Sequence, residues 1–160
     1  LHGPYSRRGL GAEDWEVWAA IESLYDAGKT KMIGISNVTA DQLTLLCVKA
    51  KHKPMMVQNR CYAAFGWDKE VREICQINQI MYQGFSLLTA NSGIFAEPDL
   101  RAMASKYQTG LAQIVFRFAQ QVGMLPLTDT TNVQHMKEDL QSDRFTLLPE
   151  EVQQIETIGL

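Results

Sequence analysis

Four apolar stretches in this 160-residue chain each end in side chains that can hydrogen-bond. Ser36 and Asn37 follow residues 31–35, Gln58 and Asn59 follow 55–57, Ser86 follows 80–85, and Thr128 closes 124–127. A carboxamide such as that of Asn37 or Gln58 offers two donors and an acceptor in fixed geometry, which matches a ligand that itself carries an amide. Nicotinamide is one such ligand. Asn, Ser and Thr after a strand also cap helices and form turns, and any one of these residues taken alone is read that way first. Their recurrence after four successive apolar runs marks a candidate site.

Those residues meet only if the intervening chain returns each strand to the same edge. Trp15, Trp18, Ile21, Leu24 and Tyr25 recur at helical spacing before Gly28, which predicts a helix over 13–27. Thr39 and Gln42 form a capping-box pattern ahead of Leu43, Leu46, Cys47 and Ala50. Further helices are expected over 69–76, from Pro98, and over 111–122 before Gly123. Asn132 is expected to cap a helix bearing Met136 and Leu140, and Pro149 to open the last, with Val152, Ile155 and Ile158. Strands alternating with helices of this length imply βαβ units and a parallel sheet, so the fold class is α/β. With a clipped strand at Leu1-His2-Gly3-Pro4 there are about five strands, too few to close a barrel. In a parallel barrel the strand ends share one face, where loops build the active site. No Gly-x-Gly-x-x-Gly follows any strand, which disfavours the Rossmann alternative.

Composition narrows the partners. A formal charge of −3 with acidic and basic residues interspersed leaves no basic stripe for nucleic acid and no polybasic membrane patch. No apolar run is long enough to span a bilayer and no leader pattern precedes residue 1, so a cytoplasmic protein is expected. Cys47, Cys61 and Cys75 are odd in number and widely spaced, as free thiols in a reducing compartment would be. Small-molecule chemistry or protein contact remains, and the oligomeric state is left open.

The order of motifs resembles that of the aldo-keto reductases. Gly34-Ile35-Ser36-Asn37 after Gly28-Lys29, Pro54 with Val57-Gln58-Asn59, Phe85-Ser86-Leu87-Leu88, Ala112-Gln113 with Phe116-Arg117-Phe118, and Pro126 before a loop match that family in order and spacing from residue 1 to residue 160. The resemblance implies the C-terminal part of a (β/α)8 barrel, with the N-terminal strands missing. It implies an oxidoreductase that moves hydride between NADP(H), or NAD(H), and an aldehyde or ketone. By the same resemblance Ser36, Asn37 and Gln58 hold the nicotinamide carboxamide, Phe85 stacks on the ring, and Ser86, Leu88, Thr128, His135 and Asp139 belong to the cofactor site. His2, in Leu-His-x-Pro, matches the histidine of the family's catalytic tetrad, beside the substrate carbonyl.

The chain departs from the family in two respects. The tetrad's Asp, Tyr and Lys belong to strands before the Leu-His-x-Pro strand, and none of Asp14, Tyr5, Tyr25 or Lys29 stands in their motif context. Since residue 1 is leucine, the 160 residues are expected to be a piece of a longer reductase, inactive alone. Downstream, Pro126-Leu127-Thr128 replaces the usual Pro-Lys-Ser, and His135 and Asp139 replace a common Arg and Asn. Leu127 cannot pair with a 2′-phosphate. The alternatives are a nicotinamide-binding or redox-sensing module without turnover, and an inactive truncated remnant.

Overall fold

The computed structural model describes residues 1–160. Four strands, β1 (Gly34–Ser36), β2 (Met56–Arg60), β3 (Met81–Phe85) and β4 (Met124–Pro126), form a sheet in the order β1-β2-β3-β4. The helices are α1 (Ala12–Asp26), α2 (Ala40–Lys49), α3 (Lys69–Ile77), α4 (Pro98–Lys106), α5 (Leu111–Gln121), α6 (Val133–Asp139) and α7 (Pro149–Thr157). β1 and β2 run parallel, pairing Gly34 with Met56, Ile35 with Val57 and Ser36 with Gln58. Helices separate successive strands, as parallel neighbours require. The chain resolves into two compact units, one of Leu1–Asn59 with Lys69–Gln83, the other of Arg60–Asp68 with Gly84–Leu160.

In the first unit, the strand expected over 31–35 begins only at Gly34, because Lys31 and Met32 are exposed. The sheet has four strands where about five were expected, and residues 1–4 form none. Leu1 donates from its amino group to Gly34 O (2.8 Å) and accepts from Ser36 N (2.9 Å), the two-bond pattern of a parallel neighbour beside Ile35. Gly34 lets β1 and β2 close up, since a Cβ there would sit 2.6 Å from the Met56 carbonyl oxygen. α1 begins where Asp14 accepts from Gly11 N (2.8 Å) and Tyr5 N (3.0 Å). Its inward face is narrower than the sequence spacing suggests: Trp18 is buried, whereas Leu24 is exposed. The capping box of α2 forms as expected, with Thr39 Oγ1 accepting from Gln42 N. Gln42, fully buried, also donates to the carbonyls of Ser6 and Gly9, both at 2.7 Å. That pins the loop after His2 against α2.

The second unit is built around α5, whose Ile114, Val115, Phe118 and Ala119 are fully buried. Trp67 lies against Phe118 with ring centroids 5.2 Å apart and donates from Nε1 to Ile155 O at 2.7 Å. It does so from a kinked 3₁₀ segment, Ala63–Asp68, in which Gly66, Trp67 and Asp68 all take positive φ. Burial of the indole offsets the roughly 1–3 kcal/mol that left-handed backbone costs a residue with a Cβ. Asn91 ties the same segment down from below, through hydrogen bonds to the backbone of Ala63, Cys61 and Leu87. α6 buries none of its residues, so Met136 and Leu140 sit on an exposed helix rather than in the core. All three cysteines are buried, and none is in a disulfide.

Glu151 fastens α7 to α4. Its carboxylate accepts from Lys106 Nζ (2.7 Å), Tyr107 Oη (2.6 Å) and Leu148 N (2.8 Å). Burial disfavours the charged carboxylate, but these donors together outweigh it and hold the Glu151 pKa below its ordinary 4.5. A carboxylate whose pKa is lowered by folding adds stability that is complete above its unfolded pKa and is lost as pH falls through the folded one. Glu151→Gln is therefore expected to cost about 1–3 kcal/mol near neutrality, with the difference from the unmodified protein shrinking below about pH 4. Urea titrations at several pH values measure this. A difference that does not change with pH would remove Glu151 from the ion pair.

Candidate cofactor site

At the ends of β1 and β2 the polar residues are linked to one another. Ser36 Oγ donates to Gln58 O at 2.6 Å, and Asn37 N donates to the same carbonyl at 3.1 Å. Asn37 takes φ 53°, a left-handed conformation that asparagine tolerates better than most residues. That turn points its Nδ2 at His2 O, 3.0 Å away. Gly3 packs against the turn, since a Cβ there would meet Ser36 O at 3.3 Å and Asn37 Cβ at 3.4 Å. The His2 backbone is thereby held beside Asn37, while its imidazole is exposed.

Gln58 donates from Nε2 to Gln83 Oε1 at 3.0 Å. Gln83 is buried on β3 and fixes which way the Gln58 amide faces, a positioning role that the sequence pattern did not reveal. A glutamine inside an apolar strand run, which must find a partner once buried, is the signal that could have found it. Asn37 Oδ1 and Gln58 Oε1 carry no hydrogen bond, and both could accept from the amine of a bound carboxamide. Asn59 is different. It is 5% exposed and spends both ends of its amide on Val38, accepting from N at 3.0 Å and donating to O at 2.7 Å, so it is a brace for the loop after β1.

The second unit holds a cavity of about 400 Å³ lined by Phe85, Ser86, Leu87, Leu88, Thr89 and Phe116, with Leu127, Thr128 and Asp129 completing the wall. Phe85 is half-buried, and the Arg60 guanidinium lies 5.5 Å from its ring centroid. Ser86 turns the chain at φ 57°. Thr128 Oγ1 donates to Asp139 Oδ2 at 3.0 Å, and Gln113 Nε2 donates to Asp139 Oδ1 at 3.2 Å. His135 is exposed on α6, its backbone N–H directed to the Asn132 cap at 3.4 Å. The aromatic and aliphatic wall suits a planar ring, and the Thr128 end suits hydroxyl groups. No cation lines the cavity.

The unit contains one further grouping of tyrosine, lysine and carboxylate, Tyr107 with Lys106 and Glu151, and its electrostatics are wrong for proton donation. Burial and then the hydrogen bond to Glu151 raise the Tyr107 pKa, and the hydrogen bond to Glu151 raises that of Lys106. A proton donor needs the opposite shift.

Strands alternating with helices in one parallel-sheet order define an α/β protein of barrel type, and the known proteins it is similar to agree. The family model described as the aldo/keto reductase family matches residues 12–159. This chain belongs to the aldo/keto reductase family. It is 33% identical over 155 residues to aldo-keto reductase family 1 member D1 of Oryctolagus cuniculus, covering 89% of this chain and 47% of that protein. It is 29% identical over 172 residues to the NADPH-dependent alpha-keto amide reductase of Saccharomyces cerevisiae, covering 100% of this chain and 54% of that protein. Among solved structures, the aldo/keto reductase from Brucella melitensis superposes with a TM-score of 0.84 at 23% identity, over 99% of this chain and 59% of that one. The chain thus spans about half the length of the curated relatives it matches. No helix is long and apolar enough to cross a membrane.

Proposed function

We propose that the protein is a nicotinamide-dependent oxidoreductase acting on an aldehyde or ketone, and that these 160 residues are the C-terminal part of its barrel domain. The observation that carries this reading is the linked group at the ends of β1 and β2, in which Asn37 Oδ1 and Gln58 Oε1 carry no hydrogen bond and Gln83 orients one of the two amides. When bound, the dinucleotide supplies the hydride. Ser36, Asn37 and Gln58 hold the carboxamide and so fix which face of the ring is presented. Phe85 supplies an aromatic face for the ring, and Ser86, Leu88, Thr128, His135 and Asp139 serve the rest of the cofactor, NADP(H) by family resemblance with NAD(H) as the alternative. His2, held at the turn by Asn37, orients the substrate carbonyl. The proton donor is assigned to no residue of this chain.

The test uses the full-length protein with a panel of aldehydes and ketones, following loss of reduced-nicotinamide absorbance. Carbonyl-dependent consumption is expected. His2→Ala should lower kcat by about a hundredfold, the lower end of the range for groups that assist proton transfer, and leave dinucleotide affinity within about twofold. Tight dinucleotide binding with no consumption for any carbonyl would favour a binding or sensing module instead.

A further inference from the structure

At the carboxyl end of β2 one guanidinium stands in the open without a counter-ion. Side chains alternate along a strand, so Arg60 projects from the same face of β2 as Gln58, two residues nearer the strand's end. Burial follows that alternation, with Gln58 half-buried, Asn59 buried and Arg60 exposed. The Arg60 guanidinium lies over the Phe85 ring, 5.5 Å from its centroid. We propose that Arg60 determines specificity by receiving a carboxylate of the substrate, so that the preferred substrates are aldehydes or ketones that also carry a carboxylate. The proposal rests on the reading of the strand ends as the site of a carbonyl reductase.

Three observations support it. No carboxylate of the chain pairs with Arg60, and of its nitrogens only Nη1 has a partner, the Tyr62 hydroxyl at 3.4 Å. The Nε–H and Nη2–H edge is therefore free, and that edge is a two-donor fork matched to a carboxylate. The cation is also held in advance, with the Phe85 ring under it and the Tyr62 hydroxyl beside it, and Tyr62 is in turn packed edge-on against Phe65, with centroids 5.8 Å apart. Such restraint lowers the cost of ordering the side chain when a ligand binds. Finally, Arg60 does not line the cavity to which Phe85 contributes, so guanidinium and cavity take different parts of the ring and the cation stays available when the cavity is filled. The cavity wall supplies no cation of its own, which leaves Arg60 as the positive charge an anionic substrate meets at the Phe85 ring.

Steady-state kinetics of the full-length protein on 4-carboxybenzaldehyde and on 4-carbamoylbenzaldehyde, its neutral counterpart of the same shape, read the preference directly. The carboxylate is expected to be favoured about tenfold in kcat/KM, chiefly through KM, as one charge-assisted contact in partly solvated surroundings allows. Raising the salt concentration should shrink that preference, because the contact is open to solvent. Arg60→Gln should abolish it by slowing the carboxylate substrate alone, and Arg60→Lys, which keeps the charge and loses the fork, should fall between the two. Equal rates on both aldehydes in the unmodified protein would overturn the proposal and leave Arg60 as packing on Phe85, and so would equal losses for both in Arg60→Gln. Should that variant misfold, the preference of the unmodified protein and its response to salt decide alone. Consumption of no carbonyl compound, charged or neutral, would instead overturn the proposed function, and this inference with it.

Discussion

Asn91→Ala is expected to destabilise the second unit by about 3–5 kcal/mol, because a single side chain satisfies three buried backbone groups there. Asn91 is 5% exposed; its Oδ1 accepts from Ala63 N at 2.7 Å, and its Nδ2 donates to Cys61 O at 2.8 Å and Leu87 O at 2.9 Å. Truncation leaves these groups without partners in a place water does not reach, and each unmade bond costs more than a made one contributes. The segment it releases is the strained one, with Trp67 at φ 55°. Asn132→Ala provides the contrast. Asn132 caps α6 from an exposed position, accepting from Gln134 N at 2.8 Å, and its loss should cost only about 1 kcal/mol. Urea unfolding of the two variants measures the difference. Equal and small losses would show that the 63–68 segment is held by the Trp67 packing alone.

Gln58→Leu in the full-length protein is expected to weaken dinucleotide binding by about ten- to a hundredfold, the equivalent of one to two hydrogen bonds to a desolvated amide. Leucine keeps most of the volume and removes both the free Oε1 and the donor to Gln83. Because β2 is held to β1 by backbone pairing in the register Ser36 with Gln58, the strand itself does not depend on this side chain. Near-wild-type circular dichroism with lost affinity is the expected pair of results. Unchanged affinity would mean that the carboxamide is bound elsewhere, and Ser36 and Asn37 would lose their assignment with it.

Most of the element order was legible in the sequence because its punctuation is local. Thr39 with Gln42, Pro98, Asn132 and Pro149 each start a helix within the turn they occupy, and the structure places α2, α4, α6 and α7 there. The kinked segment at Ala63–Asp68 was not legible, since its backbone is dictated by burial of Trp67 and by Asn91, nearly 30 residues further along the chain. The same holds for the site. Ser36, Asn37 and Gln58 stand out by type and position, but the pairing of Gln58 with Gln83 and of Thr128 with Asp139 depends on side-chain direction, which spacing does not encode. Asn59 shows the reverse case. It shares the strand end with Gln58, and the two-residue alternation of a strand turns it inward to brace Val38.

The free amide oxygens at the ends of β1 and β2 are proposed to receive a nicotinamide carboxamide. Nuclear magnetic resonance of the full-length protein, with side-chain amides labelled by ¹⁵N and titrated with reduced nicotinamide mononucleotide, addresses this residue by residue. The amide resonances of Asn37 and Gln58 are expected to shift with a common saturation curve, while those of Asn59 and Asn91, already committed to backbone partners, stay in place. Saturable binding that moves neither Asn37 nor Gln58 would contradict it.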